Sequence, residues 1–317
     1  MHAIALTCNL IGDIAVNPVD NTLVATHPCD NAVSILDPND PAGTRVITLD
    51  GDPVAVAAVA GRAFIATTSA SHDAAYVLDL DTGTVVSAHP LEFTITSMAV
   101  SPDGARVFTG RTGRLGNDIA IVDLATEAVT SIAISVREAA IVEVIRADAG
   151  GLLYAGVSGF RDGEVVVVDV AAQRVVATMR VGAPVRDITL SADGAVAYVL
   201  THHPRGAAAV LRIDLVRRVI GAVVEVGESA THVAMSPDGA EVFVMDRDGV
   251  AVICTSTGTV FDRIAVGERP SCMAVSPATG WLYVADYAGV LTGLPTVPPV
   301  LQAVDTHVVA ELQSAAV

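Results

Sequence analysis

Seven positions, Asp13, Ala55, Ser97, Glu143, Asp187, His232 and Cys272, follow one another at intervals of 42, 42, 46, 44, 45 and 40 residues. Three carboxylates, an imidazole, a hydroxyl and a thiol gathered on one ring could hold a divalent cation or exchange protons with a substrate. In an acid–base scheme Glu143 or Asp187 is the base, His232 the acid or ligand, and Arg186 or Arg269 holds an anionic substrate. The alternative is a hydrated, hydrogen-bonded channel mouth with no catalytic role and no metal.

A second set is richer in cations. Arg111 and Arg114 lie in GRTGRLGND, Phe160 and Arg161 in SGFRDG, His202, His203 and Arg205 in THHPRG, and Arg247 in DRDG; Arg137, Arg186 and Arg269 come from neighbouring loops. Arg forks suit carboxylates, phosphates or an acidic segment of a partner. Nearby Asp118, Asp162, Asp246 and Asp248 could instead neutralise them in surface pairs. The adjacent His202 and His203 would point apart before Pro204, a poor geometry for a shared metal.

What positions these residues is a repeated phrase. SMAVSPDGARVF (97–108), DITLSADGAVAYV (187–199), HVAMSPDGAEVFV (232–244) and CMAVSPATGWLYV (272–284) are close copies, and degenerate ones begin at Asp13, Ala55 and Glu143. The period is that of a four-stranded propeller blade. Each unit reads as strand, Pro/Gly turn, strand, variable loop and a β-branched run ending in Asp, then a turn such as DTG (81–83) and a fourth strand. The recurring Asp is a turn residue that accepts backbone N–H groups.

The expected fold is therefore all-β, a seven-bladed propeller of four-stranded antiparallel blades. The blades are approximately 13–51, 52–92, 93–135, 136–182, 183–227, 228–267, and 268–294 completed by an N-terminal strand over 2–10. That strand closes the ring. Two residues on from the ring positions the side chains are mostly small, Ala15, Ala57, Ala99, Ala234 and Ala274, as converging strands require. Residues 295–317 leave the repeat as a Pro-rich linker followed by a segment whose Val300, Val304, Val308 and Leu312 would share one helix face.

Composition narrows the function classes. With 35 Asp and Glu against 18 Arg and no Lys, the net charge of −17 argues against sequence-independent nucleic-acid binding. Arg-only basic usage with abundant Ala and Val fits a high-GC bacterial genome. The N-terminus lacks the basic and apolar regions of a secretory signal, which points to the cytoplasm, and prolines interrupt the longest uncharged stretch, so no transmembrane segment is expected. The four cysteines form no CxxC pair, and Cys8 and Cys272 on the outer and inner strands of one blade would stand about 14 Å apart, too far for a disulfide. GxSxG, HExxH, Walker and GxGxxG motifs are absent, and no cofactor is expected.

The phrases VGERPSCMAVSPATGWLYVAD and VGAPVRDITLSADGAVAYVL resemble the YVTN-type β-propeller repeat, related to the seven-bladed lactonase-like propellers, over residues 1 to about 294. The resemblance implies a family that includes a sugar-lactone hydrolase, haem domains of nitrite reductases, surface-layer proteins and many scaffolds. This chain lacks the CxxCH of the haem branch. The expectation is a non-enzymatic scaffold that binds another protein, as an accessory subunit or stabiliser of a larger complex, membrane-associated ones included; the alternative is a lactonase-like hydrolase of a small anionic sugar lactone.

Overall fold

The computed structural model describes residues 2–6, 10–92, 94–113, 116–135, 140–203, 206–267 and 269–296. Arg114, Arg137, Arg205, Cys8 and the 297–317 tail lie outside these residues. Among those described, 28 strands form seven four-stranded antiparallel sheets, each with its strands in chain order except the last. In the last sheet His2–Ala5 pairs with Val290–Leu294 as the outermost strand, in the register Ala3 to Thr292 and Ile4 to Leu291. The closing strand is thus shorter than the expected span of 2–10; beyond it, Leu6 N–H still donates to Gly289 O.

The innermost strands are Ile14–Val16, Asp52–Val59, Thr94–Val100, Ile141–Ala147, Val185–Leu190, His232–Met235 and Pro270–Val275. The chain holds them at fixed distance from the axis because small residues pair across to bulky ones on the second strand: Ala57 to Phe64, Ala99 to Phe108, Ala234 to Phe243 and Ala274 to Tyr283. Each aromatic fills the space between blades that the alanine leaves.

The turns are built by side chains. In blades three, five and six the Ser hydroxyl bonds the Asp two residues on, at 2.5–2.6 Å (Ser101–Asp103, Ser191–Asp193, Ser236–Asp238), and accepts the N–H of the residue that begins the next strand. At the end of the third strands Asp79, Asp123 and Asp214 accept N–H groups from three residues on. Sequence-local hydrogen bonds therefore fix both hairpins of a blade. Apolar faces of adjacent sheets supply the rest. At the closing seam Ile4, Ile11, Ile14, Leu23, Cys272, Tyr283 and Leu291 pack together across blades seven and one; full burial of one such Ile or Leu contributes about 1.5–3 kcal/mol.

Candidate functional site

Five of the innermost strands carry a bulge near their start, where the pairing register shifts between Pro53 and Ala55, Ile95 and Ser97, Val142 and Val144, Val185 and Asp187, and Pro270 and Cys272. The unpaired residue in each is Val54, Thr96, Glu143, Arg186 or Ser271. Glu143 is therefore the counterpart of Arg186, and Val144 is the counterpart of Asp187. This corrects the one-residue offset in the expected ring at its most degenerate copy. A bulge re-aims its extra side chain, and here it turns Glu143 and Arg186 into the axial cavity.

That cavity, of about 500 Å3, is lined by Asp13, Ser97, Glu143, Arg186, Asp187 and His232 among others. Cys272 is not among its lining residues. It is fully buried in the seam between blades seven and one, and burial raises its thiol well above the ordinary value. Ser97 is also buried, its Oγ lying 2.4 Å from where a Cβ would stand on Gly110, so the hydroxyl faces its own blade.

The ring aspartates are structural stitches. Asp13 accepts Ile14 N–H at 2.9 Å and, from the next blade, Val56 N–H at 2.9 Å. Burial raises its carboxyl above the ordinary range, against the N–H of Val56 and the nearby charges of His232 and Arg146. Asp187, 6% exposed, accepts Ile188 N–H at 2.8 Å, Val233 N–H of the next blade at 2.9 Å and the Arg146 guanidinium at 2.7 Å. His232 Nδ1 sits 3.0 Å from Thr231 Oγ1.

Arg146 was not singled out in the sequence. The pairing of Arg146 to Tyr154 places it where other blades carry alanine opposite an aromatic. A cation at an alanine position was the available signal, hidden by the offset in that copy. The Glu143 carboxyl, like that of Asp13, is raised by burial, and Arg186 Nη1 at 3.9 Å opposes the shift only partly.

The antiparallel order puts the loops between second and third strands on the same face as this mouth. Phe160 is 86% exposed, with the Arg161 guanidinium 5.8 Å from its ring centroid. Arg269 stands 5.7 Å over the Tyr287 ring, and its backbone carbonyl accepts Tyr287 N–H. Arg247 and His203 are exposed on this face and His202 is half-buried. Arg111 is different. It is 7% exposed, its fork gripping Asp118 at 2.7 and 2.8 Å and Glu92 O at 2.9 Å, so it fastens its hairpin and is turned away from solvent. Asp246 pairs with Arg263 at 3.1 Å, an arginine of the outer strand.

Among the described residues no cluster of three His, Cys, Asp or Glu has the geometry to hold a metal ion, and no helix is long and apolar enough to cross a membrane.

The chain matches no protein-family model. It is 32% identical over 322 aligned residues to the seven-bladed β-propeller protein Rv1057 of Mycobacterium tuberculosis, covering 89% of this chain and 81% of that protein. Among solved structures, a chain of Kuenenia stuttgartiensis hydrazine synthase superposes with a TM-score of 0.80 at 17% identity, over 93% of this chain and 97% of that one, a likeness of fold.

Proposed function

Since the chain belongs to the family of the seven-bladed β-propeller protein Rv1057, we propose from that premise that it is a non-enzymatic interaction module whose loop face docks an acidic segment of another protein. The observation that carries this reading is how the two candidate sets are employed. The ring aspartates are engaged in holding blades together, whereas Phe160 and Tyr287 stand in solvent, each with an arginine over its ring. Exposed aromatics beside Arg are the residue types that anchor protein interfaces. The guanidinium groups of Arg161 and Arg269 over these rings suit the carboxylates of an acidic segment.

The test is affinity purification from the native cell with the wild type and with a Phe160→Ala/Arg161→Glu variant. A stoichiometric partner kept by the first and lost by the second supports the proposal; repeated recovery of the bare propeller from both overturns it.

A second reading is favoured by one observation, the bulge that projects Glu143 into the axial cavity with its carboxyl raised by burial. A carboxylate so placed could act as general base in a lactonase-like hydrolase. It would take a proton from water as the oxygen of that water adds to the lactone carbonyl, and return the proton to the alkoxide released when the ring C–O bond breaks, with Arg186 holding an anionic substrate. Asp187 suits the part less well, because its oxygens are already committed to Arg146 and two backbone N–H groups. Turnover of a sugar lactone, with or without divalent metal, that Glu143→Gln abolishes would establish this reading.

A further inference from the structure

The outermost strand of each blade pairs on one side only, which leaves a row of backbone N–H and C=O groups open to another chain. Most of these edges are guarded. Asp40–Thr48 contains Pro41 and Arg45, Thr84–Leu91 contains Pro90, Arg174–Arg180 is bounded by arginines, and Thr259–Ile264 carries Asp262 and Arg263. His2–Ala5 has only four residues, and Val129–Ser135 turns Thr130 and Ser131 to solvent. Val219–Gly227 of blade five has none of these guards: it runs nine residues, VIGAVVEVG, with one charge, and pairs with Ala208–Asp214 alone. Bulges interrupt that pairing on either side of Val223–Glu225, which stays in unbroken register. Val219 and Ile220 are exposed, as are Val223 at 58% and Val216 of the preceding turn at 80%. The apolar strip extends onto blade six, where a Cβ on Gly258 would lie 3.9 Å from Ala222 Cβ and Phe261 is exposed.

Charge says what the edge fits. Arg217 and Arg218 precede the strand, Glu225 and Glu228 close it, and all four are exposed. Arg217 also holds Asp214 at 2.9 Å with 81% of its side chain still in solvent. The edge therefore runs from a cationic end to an anionic one. Set antiparallel against itself across a two-fold axis, it brings each Arg end onto the Glu end of its mate, whereas parallel pairing would stack like charges. We propose that a second copy of this chain adds its own Val219–Gly227 antiparallel to this strand, joining two propellers rim to rim through one continuous eight-stranded sheet. Main-chain hydrogen bonds supply the attraction and the charged ends set the direction. Nine residues at about 3.3 Å each give roughly 30 Å of shared edge, at the small end of specific interfaces, so the dissociation constant is expected on the order of micromolar. The rim lies away from the loop face, which makes the inference independent of the docking reading.

Sedimentation velocity of the full chain tests this over about 1–200 μM around that value. Physiological ionic strength is used, because each copy carries a net charge of −17 and charges farther apart than about 8 Å are then screened. The wild type should pass from monomer to dimer, with amide exchange at 219–227 slowing as concentration rises and exchange at 174–180 unchanged. Val223→Lys, at an exposed position, should stay monomeric throughout with the wild-type melting temperature. Arg217→Glu/Arg218→Glu and Glu225→Arg/Glu228→Arg should each weaken self-association at least about tenfold, and an equimolar mixture of the two should recover it. A wild type that is monomeric at every concentration overturns the proposal. So does a dimer that Val223→Lys leaves intact, since another surface would then hold it. A mixture that associates no better than either charge variant alone overturns the antiparallel pairing.

Discussion

The Asp187 carboxylate accepts the backbone N–H of Val233 at 2.9 Å, so an acidic side chain on one blade holds the innermost strand of the next. Asp187→Ala leaves that N–H, the Ile188 N–H and the Arg146 guanidinium without their acceptor. A loss of about 2–4 kcal/mol in chemical denaturation is expected, since hydrogen bonds to a buried charge are among the stronger ones. Glu143→Gln, which removes a carboxylate that burial disfavours, should change stability by under about 0.5 kcal/mol at neutral pH. Equal losses for the two substitutions would show that the bulge residue is also a stitch.

Stability should fall in acid. Hydrogen bonds from Ser101, Ser191 and Ser236 hold Asp103, Asp193 and Asp238 below the usual carboxylate range, and those from Thr82, Thr126 and Arg217 do the same for Asp79, Asp123 and Asp214. A folded value below the unfolded one gives stability that is complete above about pH 4 and is lost as pH drops through the folded values. Asp13, Glu143 and Glu241, raised mainly by burial, act in the opposite sense: their contribution is most favourable below the unfolded value and declines as pH rises through the folded one. The turn carboxylates are more numerous, so the thermal midpoint should drop between about pH 5 and pH 2. A midpoint that rises over that interval would show that the buried carboxyls dominate.

Cys254 ends the third strand of blade six at the position where Asp79, Asp123, Asp169 and Asp214 stand in other blades. Its sulfur lies 3.1 Å from Ser256 Oγ, and hydrogen bonds from Ser256 and Thr257 bring its pKa down to about 7. Alkylation of Cys254 by iodoacetamide should rise with a midpoint near that value, while buried Cys272 stays unmodified in the folded protein. Peptide mapping after labelling at several pH values checks both. Modification of Cys272 at the rate of Cys254 would contradict the burial at the seam.

A backbone-on-backbone contact sets the join between blades four and five. A Cβ on Gly163 would lie 2.4 Å from the Ala183 carbonyl oxygen and 2.9 Å from Val185 N, neither of which can rotate away. Gly163→Ala is therefore expected to cost about 2–4 kcal/mol. Gly43→Ala, where the nearest atom is an Asp40 side-chain oxygen at 3.5 Å, should be neutral to about 0.5 kcal/mol. Denaturant midpoints of the pair provide the comparison.

The propeller was legible because its turns are written locally: Ser101 with Asp103 and Ser191 with Asp193 bond within two residues, and the same short phrase specifies them each time. The mouth was legible only where the phrase is intact. In EVIRADAGG the Ser-x-Asp pair is missing, so nothing local marks the bulge that sets Val144 against Gly156 and releases Glu143. Bulges depend on pairing across strands and leave no fixed residue signature. Arg146 was overlooked for the same reason. Cys272 looked like a mouth residue by counting, but its side chain packs into the adjoining blade beside Ile11 and Ile14, and counting along one strand carries no information about a neighbouring sheet. The loop face divides similarly. The pairing of Arg111 to Asp118 across a hairpin follows from short-range spacing, whereas the stacking of Arg269 on Tyr287 joins residues on different loops.

Ala5 and its partner Val290 are separated by nearly the whole length of synthesis. At roughly 5–20 residues per second the ribosome needs about 15–60 s to pass from one to the other, and through that interval six blades can fold while the first strand has nowhere to pair. The nascent molecule therefore exists as an open arc with a dangling end, and the rim of its earliest sheet stays bare until the last hairpin emerges. The step that closes the ring is thus an encounter between two strands made far apart in time.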